Sequence, residues 1–141
     1  MKKIVLEFKS TQEVEGNQDA MEFISNGEYK NDNGKITIKY DESVALGVEN
    51  TVSTLTVSKD NIVTISRMGA VNNNLVIEQG KRHICQYKTP YGDITMGIYG
   101  DYVNNQLGSP DGELHMQYSI DVNMELLSKN KVDIKISEDE N

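Results

Sequence analysis

Apolar and polar residues alternate along most of this chain. Across residues 35–42, Ile36, Ile38 and Tyr40 fall on one side, while Lys35, Thr37, Lys39 and Asp41 fall on the other. That period of two marks a strand with one dry and one wet face; an amphipathic helix would repeat every 3.6 residues. The pattern recurs at Ile4, Leu6 and Phe8, at Leu55 and Val57, at Val63 and Ile65, and at Leu75 and Ile77. It returns at Ile94, Met96 and Ile98, from Leu114 through Met116, Tyr118 and Ile120 to Val122, and at Val132, Ile134 and Ile136. With the stretches around Phe23 and Tyr87, this predicts about eight to ten strands.

The intervals between strands carry turn chemistry. Asn33-Gly34 suits the positive φ angles of a type I′ hairpin, and Lys59-Asp60-Asn61 and Asn72-Asn73-Asn74 supply residues that tolerate left-handed backbone. Connections this short pair consecutive strands as an antiparallel meander. A meander with one apolar face must hide that face, and the lack of long crossovers favours a closed up-and-down barrel over a Greek-key sandwich. The expectation is an all-β barrel filling residues 1–141 as a single domain. The stretch 101–112, with Gly108, Pro110 and Gly112, reads as a surface loop, and the tail Ser137-Glu138-Asp139-Glu140-Asn141 as a solvated terminus.

Composition removes several functional classes. A net charge of −8 should repel phosphate backbones, so nucleic acid is not an expected partner. No run is long and apolar enough to span a membrane, and the apolar run Ile4-Val5-Leu6 stops at Glu7, far short of a signal peptide's core. The single cysteine, Cys85, cannot pair within the chain, and a reducing cytoplasm is the simplest location. His83 and Cys85 share a strand face with Tyr87 and Thr89 but supply only two ligands where zinc needs three or four, so no metal or other cofactor is expected. His115 lies on the wet face beside Glu113 and Gln117 and reads as a surface histidine. Nucleophile elbows, zinc-protease pairs and phosphate-binding glycine loops are absent from the sequence, leaving enzyme activity without motif support.

What stands out is polarity on the dry side. Arg67, one of only two arginines, continues the face of Val63 and Ile65, and Glu42 continues that of Ile36, Ile38 and Tyr40. Both end their runs, which places them at one end of the barrel with the Tyr87 and Thr89 hydroxyls nearby. Two readings follow. Arg67 closes the barrel end structurally by pairing with Glu42, or the two form the polar end of a small-molecule cavity lined by Phe8, Tyr40, Met96 and Met116. The candidate ligand-binding residues are thus Arg67, Glu42, Tyr40, Tyr87 and Thr89, for an anionic or carbonyl-bearing ligand. The competing function is a filled barrel acting through its surface as a protein-interaction or homo-oligomeric module. A weaker third is a hydrolase-like or isomerase-like site with Glu42 as base.

These residues also carry a resemblance. Gly27-x-Tyr29, Tyr40-x-Glu42, Thr51 and Thr54, Arg67-x-Gly69, Glu78-x-Gly80 and Tyr87-x-Thr89-x-Tyr91-Gly92, in this order over nearly the whole chain, resemble the YwiB-like bacterial family, a domain of unknown function. The resemblance implies a calycin-like, lipocalin-like barrel in the cytoplasm of a Gram-positive bacterium and implies no activity. The chain has no tryptophan and so lacks the Gly-x-Trp of true lipocalins; lipocalin-type binding is an analogy of fold alone.

Overall fold

The computed structural model describes residues 1–41, 52–68, 73–89, 91–109 and 111–139. Ten strands follow one another: β1 (Lys2–Val14), β2 (Asn17–Asp32), β3 (Lys35–Asp41), β4 (Val52–Val57) and β5 (Val63–Met68), then β6 (Asn73–Ile77), β7 (Arg82–Thr89), β8 (Gly92–Gln106), β9 (Glu113–Val122) and β10 (Glu125–Glu138). Each pairs antiparallel with its sequence neighbour, and β1 also pairs with β10, which closes the barrel. The expected meander is therefore the observed topology. The β6–β7 seam is the thinnest, with one registered pair, Asn73 with Tyr87, and a bridge from Glu78 to Lys81.

Parity decides what is inside. Ile4, Leu6 and Phe8, Ile36, Ile38 and Tyr40, Leu55 and Val57, and Val63 and Ile65 are all buried, as are Leu114, Met116, Val132, Ile134 and Ile136. The alternate residues of the same strands are mostly Lys, Glu, Asp and Thr facing water. A membrane barrel has the opposite arrangement, with its apolar band outward. Among the described residues no helix is long and apolar enough to cross a membrane. The Asn33-Gly34 hairpin has both residues at positive φ, 52° and 95°. Two further tight turns use the same geometry with one unusual residue each: Glu15-Gly16 joins β1 to β2 with Glu15 at φ 50°, and Asn123-Met124 joins β9 to β10 with Met124 at φ 68°.

The staves are unequal. β1, β2, β8, β9 and β10 contain 13, 16, 15, 10 and 14 residues. β3 to β7 contain only 7, 6, 6, 5 and 8. The two ends differ as well. At the end where β2 turns into β3 and β8 into β9, the barrel is plugged. Leu107 is fully buried, and its carbonyl accepts a 2.6 Å hydrogen bond from the Tyr29 hydroxyl, whose pKa burial raises. Gly100 lies so close to the Glu78 carbonyl that a Cβ would sit 2.3 Å from it, and a Cβ on Gly112 would sit 2.2 Å from the Gln106 carbonyl.

Three expectations about irregular chain are corrected. Asn73 and Asn74, expected in a turn, open β6 and pair with Arg67 and Ser66. Residues 101–106 are not loop; they continue β8 past a bulge between Gly100 and Tyr102, paired with Glu113 to Gln117 of β9. The bulge resets parity, so Val103 turns inward and is buried, a shift that alternation read from the sequence does not reveal. The tail is likewise not all solvated coil. Ser137 and Glu138 pair with Val5 and Ile4, and the Asp139 amide donates to the Lys3 carbonyl at 3.0 Å.

Candidate functional site

The candidate site is at the opposite end, where β3 finishes and β4 begins, β5 finishes and β6 begins, and β7 finishes and β8 begins. Its geometry comes from a single cross-strand row. Starting at Ile4 the register runs through Gly27, Tyr40 and Ser53 to Arg67, then Asn73, Tyr87 and Ile94. A tilted barrel makes such a row climb as it goes round. It begins low on β1 and reaches the upper end of the short staves at Arg67. Tyr40, Arg67 and Tyr87, far apart in sequence, thereby fall on one cross-strand row, each two strands from the next.

Arg67 is half-buried at the end of β5, beside fully buried Ser53. Tyr40 is 2% exposed, and Tyr87 is half-buried. Thr89 ends β7, paired with Gly92. Glu42, the expected partner of Arg67, lies outside the described residues, as do Thr51 and Gly69. Of the expected apolar lining, Met116 is fully buried in the filled part of the core, Phe8 is nearly so, and Met96 is only partly buried. Met21, Phe23 and Ile120 join Met96 as half-buried apolar groups packed on the core. The rings of Phe8 and Phe23 stack with centroids 4.8 Å apart, and Tyr40 packs against both at 6.5 and 6.3 Å. The stretch around Phe23 thus belongs to the barrel wall, as part of β2.

Gly27 has a specific place in this row. A Cβ there would sit 2.7 Å from the Lys39 carbonyl, so β2 and β3 approach more closely than a side chain allows. A hollow of about 520 Å³ touches Asn26, Gly27, Glu28, Lys39, Tyr40 and Asp41, and one of about 480 Å³ touches Glu7, Phe8, Lys9, Glu22, Phe23 and Ile24; both are open to solvent.

Sequence reading missed three inward polar residues and one charged clamp. Ser53, Ser128 and Asn130 are the buried polar residues among those described. Ser128 and Asn130 continue the face of Val132, Ile134 and Ile136, so the parity test that singled out Arg67 could have found them. The clamp could not be found that way. The Arg82 guanidinium crosses Gly97 and binds both carboxylate oxygens of Asp121, at 2.9 and 2.7 Å. The hydrogen bond from Arg82 holds the Asp121 carboxyl below its usual range, and Asp121 raises Arg82. Only the register across β7, β8 and β9 brings these groups together. At the plugged end, Glu78 sits 2.9 Å from His83 and 3.2 Å from Lys81, and its carboxyl is lowered mainly by the His83 hydrogen bond. His115 is a wet-face residue, but it is bound to Asp133 at 2.6 Å. Among the described residues no cluster of three or more His, Cys, Asp or Glu could hold a metal ion.

Comparison with known proteins gives one consistent family. The domain of unknown function DUF1934 matches residues 6–134. An uncharacterized beta-barrel protein, YwiB of Bacillus subtilis (strain 168), is 29% identical over 119 residues, which is 84% of this chain and 82% of that protein. The crystal structure of the ywiB protein from Bacillus subtilis superposes with a TM-score of 0.82 at 23% identity, covering 98% of this chain and 92% of that one.

Proposed function

The chain belongs to the DUF1934 family, and on that premise we propose that it is a binding barrel whose unplugged end takes a small anionic or carbonyl-bearing molecule at Arg67. The observation that carries this reading is the inward row Tyr40, Ser53, Arg67 and Tyr87. The row carries one cation and three hydroxyl-bearing residues at the end of the barrel where inward positions turn polar. Guanidinium is suited to the task because its planar fork can grip a carboxylate or phosphate with two parallel bonds. The half-buried Met21, Phe23, Met96 and Ile120 give an adaptable apolar flank to such a ligand.

Native mass spectrometry of freshly purified protein tests the proposal. The expected result is added mass that disappears in Arg67→Leu, with that variant's melting curve showing that the barrel still folds. Clean spectra, together with no thermal shift across a panel of metabolite anions, would overturn it. The second reading, a homo-oligomeric barrel, draws on Ile84 and Leu126, which are 59% and 60% exposed on the outer face. A dimer mass in otherwise clean spectra would favour it.

A further inference from the structure

The wall opposite Arg67 breaks its own pattern. From Ile136 through Ile134 to Val132 the inward face of β10 is aliphatic, and its next two inward residues are Asn130 and Ser128. They are 9% and 1% exposed, and the Asn130 amide donates to the Ser128 hydroxyl oxygen at 3.0 Å. Burying these groups is unfavourable compared with continuing the aliphatic face, and one mutual hydrogen bond uses only part of their capacity.

Their position relative to Arg67 follows from topology. In the order β1-β10-β9-β8-β7-β6-β5-β4-β3-β2, strands β5 and β10 are five steps apart in either direction, which makes them diametrically opposed. Their heights also agree. Four lateral steps lead from Ile4 to Arg67, a rise of roughly 14 Å for strands 4.8 Å apart tilted by about 45°. Asn130 is registered with Gln12, eight residues above Ile4 on β1, which puts it roughly 15 Å above Ile4 after one step back. The same spacing and tilt set the opposing walls roughly 22 Å apart, and the two side chains span roughly half of that.

Resting on the reading of Arg67 as an anion site, we propose that Ser128 and Asn130 are the second recognition point of the same site. Its ligand is then a carboxylate or similar anion whose apolar chain, of about ten carbons by the remaining span, carries a neutral hydroxyl or carbonyl at the far end. Asn130 is the member of the pair with accessible surface, its amide can both donate and accept, and Ser128 beneath it takes one amide proton and fixes its orientation, so the pair reads a neutral polar group. Met21, Phe23, Met96 and Ile120 lie at the end of the barrel these two poles share and suit the chain between them.

Calorimetric titration with 10-hydroxydecanoate and with decanoate tests this on the intact protein. The wild type should bind the hydroxy acid about tenfold more tightly, the effect of one net hydrogen bond. The double variant Ser128→Ala, Asn130→Val should lose that preference while still binding decanoate. Replacing both partners leaves neither stranded, and its melting curve reports whether the barrel is intact. Equal affinity of the wild type for the two acids, or a preference that survives in the double variant, overturns the second recognition point while leaving Arg67 as an anion site. If neither acid binds at millimolar concentration, this inference fails, while the anion site at Arg67 stands or falls by the mass-spectrometric test. The comparison of the two acids on wild type decides the matter even if the double variant does not fold.

Discussion

The two ends of this barrel are built from opposite materials. At one end the chain seals itself with apolar side chains and backbone contacts: buried Leu107, Tyr29 bonded to its carbonyl, and glycines at 100 and 112 where strands nearly touch. At the other, inward positions turn polar at Ser53, Arg67, Ser128 and Asn130, and the apolar groups beside them are only half-buried. The plugged end has the features that stabilise a fold. The other carries buried polar groups whose burial an aliphatic core would avoid.

If that division is right, the largest effect should come from Gly100→Ala. Its new Cβ would meet the Glu78 carbonyl at 2.3 Å, and Glu78 and Gln79 are held there by bridges to Lys81 and Gly100. Because backbone must move, the expected loss is about 4 kcal/mol, at the upper end of single substitutions. Chemical denaturation measures it; a loss under about 1 kcal/mol would show that the end is less tightly sealed than described. Next comes a matched pair of truncations. Leu107→Ala removes a fully buried side chain and should cost about 3 kcal/mol. Met96→Ala, at the other end and only partly buried, should cost about 1 kcal/mol. Equal losses would erase the contrast between the ends.

A gain should be available at the tip of the β9–β10 hairpin. Met124 sits at φ 68° with its side chain 75% exposed, so it bears the left-handed strain of a side chain with no packing to offset it. Met124→Gly should stabilise by about 1 kcal/mol, read as a raised denaturation midpoint at unchanged m-value. No gain would mean that the turn relaxes without cost.

Much of this architecture was legible in the chain. Alternation identified the strands, and Asn33-Gly34 and the short connections identified a meander that closes. Parity also picked out Arg67 as the inward residue ending its run. Features that depend on register were not legible. The bulge after Gly100 moves Val103 inward and turns an expected loop into strand. Arg82 reaches Asp121 only because Gly97, on the strand between them, leaves the space. Ser128 and Asn130 were accessible to the parity argument, but the isolated polar residues at 42 and 67 drew attention by their charge, whereas a serine and an asparagine look unremarkable until their burial is known.

The smallest expected effect belongs to neither end and marks the limit of the comparison. The Arg82–Asp121 clamp ties β7 to β9 across the outside of β8, with side chains 34% and 17% exposed. Asp121 has its pKa lowered in the folded protein by the hydrogen bond from Arg82. The unfolded chain therefore binds a proton at a higher pH than the folded one. The clamp's contribution is complete above the usual aspartate pKa of 3.8 and fades as the pH falls through the lower folded value. Asp121→Asn should remove that contribution near neutral pH and flatten the acid limb of the stability curve, because no proton is left to be taken up there. Gly97→Ala should do nearly the same, since its Cβ would displace the Arg82 guanidinium rather than backbone. The two changes combined should cost less than their sum, as expected when both break one interaction. Additive losses with an unchanged acid limb would show that the clamp contributes nothing as a unit, leaving the plugged end to account for the barrel's stability.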